Sequence, residues 1–139
     1  MKNPTHEQLK QIAKRNGLRV RKGKYFQIFF FSKLIEVDNE AGPNVWTWNM
    51  LHEMGHAELT IKRERCHMNT ILRMINLAEG NYRPREAFFR DYLDMEWKAW
   101  ERGLRIAKRE GIKISEKKYW IHARKCYKTY VDNIRDHYR

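Results

Sequence analysis

The chain has 139 residues, with 29 Lys and Arg against 17 Asp and Glu, and its formal net charge is +12. Hydrophobic residues make up 42% and aromatic residues 13% of the chain, which excludes a disordered polycation. No apolar run approaches the roughly 20 residues that a membrane-spanning helix needs, so we expect no membrane partner.

The length suits one domain over residues 1–139, which we expect to be a monomer. The N-terminal residues lack the apolar segment of a secretory signal. The two cysteines, Cys66 and Cys126, are too few for a disulfide framework. These features predict a cytoplasmic protein.

The first third of the chain predicts a helix followed by a small sheet. Residues 5–16 carry a capping box at their start and end before Gly17, as a short amphipathic helix does. Residues 18–31 predict a β-hairpin that turns at Gly23, and residues 34–37 predict a third strand. We therefore expect a small antiparallel three-stranded sheet.

The rest of the chain has a helical pattern. Apolar periodicity and stop signals predict four helices, over residues 44–62, 65–78, 84–110 and 115–137. The order of elements predicts an α+β fold in which an N-terminal helix and a small sheet precede a helical remainder.

The second predicted helix contains the motif HExxH, from His52 to His56. Residues four apart share a face of a helix, so the two imidazoles can bind one Zn²⁺. Glu53 lies about 100° round the helix, where it can take the proton of a zinc-bound water that attacks a peptide carbonyl. The alternative is a pair of ordinary core or surface histidines. Gly55 costs a helix about 1 kcal/mol relative to Ala and predicts close packing against the sheet or a metal.

A catalytic zinc ion needs a third protein ligand. Glu96 lies in the middle of the apolar stripe of the 84–110 helix, where a carboxylate is costly unless it is paired or bound to a metal. This favours Glu96, with Glu86 and His67 as alternatives. A buried salt bridge from Glu96 to an arginine such as Arg73 or Arg102 is the competing interpretation.

The HExxH motif followed by Glu96-Trp-Lys-Ala99-Trp100 resembles the compact gluzincin pattern. This pattern is seen in minigluzincins and in the ImmA/IrrE-type metallopeptidases common in phages and mobile elements. The resemblance covers about residues 25–105. It implies a zincin-like fold in which an active-site helix lies beneath a small sheet and a glutamate helix completes the metal site.

The same resemblance implies the roles of the site residues. His52, His56 and Glu96 become zinc ligands, and Glu53 becomes the general base of a zinc-dependent peptidase. The substrate is then a protein or peptide held along an edge strand, either Tyr25–Phe31 or Leu34–Val37. A phage protein of this kind would work in the cytoplasm of the host cell.

A second resemblance stays open. The segment from Leu51 to Ala57 is also similar to SprT-like proteases, which act on proteins crosslinked to DNA and use a third His, for which His67 is the candidate. Surplus Lys and Arg around a cleft would favour acidic substrates or a protein associated with nucleic acid. The basic, aromatic 115–137 helix predicts either a packing helix with a solvated face or a nucleic-acid surface. A non-catalytic DNA-binding protein on a zincin scaffold, or an interaction protein that has kept its metal site, is a further alternative.

Overall fold

The computed structural model describes residues 3–61, 65–80 and 84–138. Over these ranges the α+β class, the order of the elements and the helix boundaries to within about two residues are confirmed; the predicted helix end at residue 62 lies outside them. No helix in the described ranges combines the length and apolarity that crossing a bilayer requires. The elements are α1 (Pro4–Arg15), β1 (Arg19–Lys22), β2 (Gln27–Phe29), β3 (Leu34–Val37), α2 (Pro43–Ile61), α3 (Arg65–Ala78), α4 (Glu86–Arg109) and α5 (Glu116–Tyr138).

The sheet is mixed, so the prediction of an antiparallel sheet is wrong. The strand order is β1-β3-β2, with β3 parallel to β1 and antiparallel to β2. The predicted hairpin with a turn at Gly23 is also wrong, because β1 and β2 do not pair. The hairpin joins β2 to β3 instead, and Lys33 in its connection adopts a positive φ of 51°.

Burial explains why β3 takes the centre of the sheet. Its side chains Leu34, Ile35 and Val37 are all buried, whereas the Arg and Lys side chains of β1 are exposed, as suits an edge strand. Both sides of β3 are occupied, so the prediction that Leu34–Val37 could receive a substrate strand is wrong. Among the described residues, β2 pairs on one side only and presents its other edge.

Helices α2 and α4 form the centre of the molecule and touch at two glycines. A Cβ atom on Gly55 would collide with the carbonyl oxygen of Ala99, and one on Gly103 would lie 2.6 Å from the carbonyl oxygen of Leu51. The close neighbour of Gly55 is therefore α4, and not the sheet or metal predicted from the sequence. This close crossing brings one face of each helix together.

Helix α5 also packs against α4. The buried Tyr119 donates its hydroxyl hydrogen bond to the carbonyl oxygen of Trp100. The rings of Trp97 and Trp120 stack with their centroids 5.1 Å apart. These contacts hold the middle of α4 in place beside α2.

Candidate metal centre

Three buried side chains from α2 and α4 meet at one point. The Nε2 atoms of His52 and His56 lie 3.0 and 3.1 Å from the same oxygen, Oε2 of Glu96. One ligand atom from each residue lies within 4.8 Å of the others, and all three side chains are buried. This group could hold a metal ion.

Of the three candidates for the third ligand, the structure brings Glu96 to the Nε2 atoms of both histidines. Glu86 is exposed in the first turn of α4. His67 is buried, but its Nε2 lies 3.3 Å from Nδ1 of His56 and thus on the far side of that ring from Glu96. His67 therefore contacts the candidate ligand His56 on the Nδ1 side of its ring.

The predicted salt bridge from Glu96 to an arginine is wrong in both of its forms. Arg73 pairs with Asp91 at 2.7 Å, and Arg102 pairs with Glu58 at 3.1 Å. The carboxylate of Glu96 is instead compensated by the two imidazoles.

The residues after Glu96 on α4 support the same site. Trp100, one turn later, stacks on His52 with a centroid distance of 4.1 Å and an interplanar angle of 22°. Ala99 is fully buried against Gly55 and lets α2 approach. The Glu-x-x-Ala-Trp spacing therefore places a candidate ligand, a close helix contact and a ring that orients His52 on one face of α4.

Glu53 shares a cavity of about 240 Å³ with the three candidate ligands. Its side chain is 7% exposed. Phe30, Met74 and Tyr130, which the sequence does not predict as site residues, also line this cavity. They come from the β2–β3 connection, α3 and α5, and no motif links these segments to HExxH.

The described wall of this cavity contains no Lys or Arg. The expectation that Lys and Arg around a cleft favour acidic substrates stays a prediction. The wall is apolar and aromatic apart from Gln27 and the His and Glu side chains.

Burial and neighbouring charges shift the pKa values of His52 and His56 in opposite directions. Burial lowers the pKa of His52 to about 4, against a weaker opposing hydrogen bond from Glu96. Burial also opposes protonation of His56, but the charge and hydrogen bond of Glu96 and the charge of Glu53 together raise its pKa above the usual value. Without a metal, His56 is therefore the imidazole of the two that is protonated first as the pH falls.

The two carboxyl groups are shifted in opposite directions. Burial alone would raise the pKa of Glu96, but the charge of His56 and the hydrogen bonds of both histidines hold it far below the usual range. Burial raises the pKa of Glu53 to about 7; the charge of His56 opposes the shift and that of Glu96 adds to it. Glu96 is thus an anionic candidate ligand, and Glu53 is a carboxyl group that can gain and lose a proton near neutral pH in the metal-free site.

We expect metal binding to release a proton and to weaken as the pH falls. A protonated His56 beside Glu96 must become neutral before its Nε2 can bind a metal. The pKa of His56 is raised, so the ring keeps its proton at pH values below that pKa. In this pH range the apparent affinity for the metal should fall by about tenfold for each unit that the pH decreases. Calorimetry of Zn²⁺ binding in two buffers of different ionisation enthalpy measures the number of protons released per bound ion. An affinity independent of pH across the titration of His56 would contradict this assignment.

His67 and Phe30 both contact the ring of His56. The ring of Phe30 makes edge contacts with both imidazoles, at centroid distances of 5.9 Å to His56 and 6.3 Å to His67. A histidine that binds a metal through Nε2 carries its proton on Nδ1 and donates it to an acceptor, which fixes the ring. Nε2 of His67 is in position to be that acceptor.

We expect His67→Phe to weaken metal binding by about 10- to 100-fold, since His56 then loses the acceptor of its Nδ1 proton. His67→Gln, which keeps a polar acceptor on a side chain of similar reach, should recover most of the affinity. Competition with a chromophoric chelator measures both values, and the unfolding temperature of the metal-free variants controls for misfolding. Equal affinities for the two variants would remove this role from His67.

Comparisons with protein-family models, curated proteins and solved structures find no match to this chain. The resemblance to gluzincins and the zincin-like fold therefore remain predictions.

Proposed function

We propose that this protein is a zinc-dependent peptidase of the HExxH type that hydrolyses peptide bonds in a protein substrate. The observation that carries the proposal is the buried group of His52, His56 and Glu96, with Glu53 in the same cavity. Two imidazoles and one carboxylate are a donor set of catalytic zinc sites, which leave the fourth position for water or substrate. A zincin-like fold of the compact gluzincin type belongs to the same proposal.

In this proposal three residues bind the metal ion and a fourth transfers the proton. His52, His56 and Glu96 would hold the ion, which when bound polarises a substrate carbonyl and lowers the pKa of water to about 7. Glu53 accepts a proton from the attacking water on its carboxylate and passes it to the leaving amine. In the metal-free site burial raises the pKa of Glu53 to about 7, and a carboxyl group can both accept and donate a proton in such a step.

The outer edge of β2 is the place where this proposal puts the substrate backbone. Phe26, Gln27 and Ile28 on and before β2 line the cavity that contains Glu53. Main-chain groups of an edge strand can bind an extended peptide as an added strand. The neighbouring aromatic side chains Tyr25 and Phe31 are 70% and 73% exposed, which adds apolar surface for such a contact.

Metal analysis tests the proposal directly. We expect the purified wild type to bind one equivalent of zinc and to cleave an unfolded protein such as casein, and a chelator should abolish that cleavage. Glu96→Ala removes one of the three proposed protein ligands and should reduce zinc affinity by at least about 100-fold. This exceeds the loss expected when a residue that only hydrogen-bonds to a ligand is removed. Glu86→Ala, on the same helix but exposed, is the matched control and should bind zinc as the wild type does. Unchanged zinc binding in Glu96→Ala would refute the ligand assignment.

The alternatives of an SprT-like protease and of a nucleic-acid-binding protein remain predictions. The position of His67 behind His56 favours Glu96 over His67 as the third ligand, and this supports the gluzincin type. The nucleic-acid alternative depends on the overall charge of +12.

A further inference from the structure

An open groove lies between α4 and α5, and its volume is about 560 Å³. Four residues of α4, spaced as one face of a helix, line the groove together with two residues of α5. The six residues are Arg90, Leu93, Asp94, Trp97, Arg124 and Tyr127. None of them lines the cavity of the candidate metal centre, so the groove is a separate surface.

The middle of the groove is apolar and aromatic. The half-buried Leu93 lies one turn before Trp97 on α4. Trp97 meets Tyr127 of α5 at a centroid distance of 5.4 Å and an interplanar angle of 78°. These three side chains offer a surface on which one large apolar side chain of a ligand can pack, and the volume lies in the range of about 300–1,000 Å³ typical of ligand sites.

Two arginines flank this apolar surface, Arg90 on α4 and Arg124 on α5. Both are exposed, and neither makes an ion pair within the part of the chain that the structure describes. Asp94, the acidic residue of the described lining, pairs with Lys98 at 3.1 Å. The groove therefore presents two guanidinium groups that are available for carboxylates of a ligand.

We propose that the α4–α5 groove binds an acidic peptide segment of another protein, with one large apolar side chain of that segment packed on Trp97 and Tyr127. Carboxylates on either side of this side chain would pair with Arg90 and Arg124, because the forked guanidinium group matches a carboxylate. Aromatic residues and Arg are the residues most enriched where proteins bind one another tightly. This proposal concerns binding and does not depend on peptidase activity.

Charge and ring packing decide between the possible occupants. A second copy of the chain carries the same net charge of +12 and is repelled. Single-stranded nucleic acid is also acidic, but its bases bind by stacking on free ring faces. Trp97 already stacks on Trp120 at an interplanar angle of 27°, so one of its faces is occupied within the protein. An acidic peptide with an apolar anchor fits these features better.

Fluorescence anisotropy with labelled peptides tests the proposal on the full chain. The probe is fluorescein-Ser-Glu-Glu-Trp-Glu-Glu-Ser-amide, and two companion peptides carry Ala for Trp or Lys for every Glu. We expect the probe to bind at least about tenfold more tightly than either companion, since one lacks the apolar anchor and the other meets like charges. A chelator should leave the affinity unchanged, because the groove shares no lining residue with the metal cavity.

Two arginine variants separate the groove from the overall charge of the chain. Arg124→Glu reverses a charge of the groove, and Arg105→Glu makes the same change at an exposed position of α4 outside it. Arg124→Glu should weaken binding of the probe at least about tenfold, because an attraction becomes a repulsion. Arg105→Glu should change it by less than about threefold, since solvent and salt screen a distant surface charge. Both residues are exposed, and circular dichroism checks that both variants fold.

The contrary outcomes are distinct. Equal weakening by Arg124→Glu and Arg105→Glu would mean that net charge alone attracts the probe, and this would overturn the proposal. Equal affinity for the Trp and Ala peptides would overturn it as well, because the groove would then hold no apolar anchor. Tighter binding of a fluorescein-labelled oligothymidylate that Arg124→Glu weakens and Arg105→Glu does not would assign the groove to nucleic acid instead.

Discussion

Glu53→Gln should reduce peptide hydrolysis by at least about 100-fold, within the range of 10²–10⁴ that a general base contributes. The amide of Gln has nearly the size of the carboxyl group but cannot accept a proton from water. The three candidate ligands are unchanged, so zinc should remain bound at one equivalent. Elemental analysis and kcat measured on the same preparation check the two halves of this prediction.

The matched control for Glu53→Gln is Glu101→Gln, which makes the same chemical change on an exposed face of α4. It should retain full activity and full zinc content. A Glu53→Gln variant that binds zinc and still hydrolyses peptides would show that another group takes the proton, and the proposed mechanism would then be wrong.

Gly55→Ala should have the largest effect on stability. Helix propensity alone would favour Ala by about 1 kcal/mol. The added Cβ atom, however, would collide with the backbone carbonyl of Ala99, which cannot rotate away as a side chain can. We expect the packing cost to outweigh the propensity and to lower the free energy of unfolding by about 3 kcal/mol. Urea unfolding monitored by circular dichroism measures the change.

Gly42→Ala is the matched control for this substitution. A Cβ atom on Gly42 meets nothing within 4 Å, and its φ is not in the left-handed region. Its free energy of unfolding should stay within about 0.5 kcal/mol of the wild type. A Gly55→Ala protein as stable as Gly42→Ala would mean that α2 and α4 do not cross as closely as the structure has them.

The fold was predictable where it depends on neighbouring residues. The helices follow from apolar periodicity and from capping and stop signals, all of which lie within about four residues of one another. The three strands were predicted, and residues 34–37 with their exact bounds, but the pairing of the strands was predicted wrongly because it depends on contacts beyond neighbouring residues. The chain between β1 and β2 is short enough for a hairpin, but the apolar β3 takes the central position and separates them.

The candidate site shows the same division. HExxH places His52, Glu53 and His56 by helix geometry alone, and Glu96 stood out as a carboxylate on an apolar stripe. The sequence predicts His67 only as an alternative ligand, and its contact with Nδ1 of His56 depends on the tertiary structure. No sequence signal pointed to Tyr130, whose part in the cavity wall depends on how α5 packs.

The amino-acid sequence alone predicts an α+β chain with an HExxH helix and a glutamate that could complete a metal site. These features depend on the 3.6-residue helical repeat and on the cost of burying a carboxylate. The tertiary structure alone decided the central place of β3, the close crossing at Gly55 and the contact of His67 with Nδ1 of His56. Each of these arises where elements distant in sequence pack together, and the shape of that contact depends on all the side chains within it.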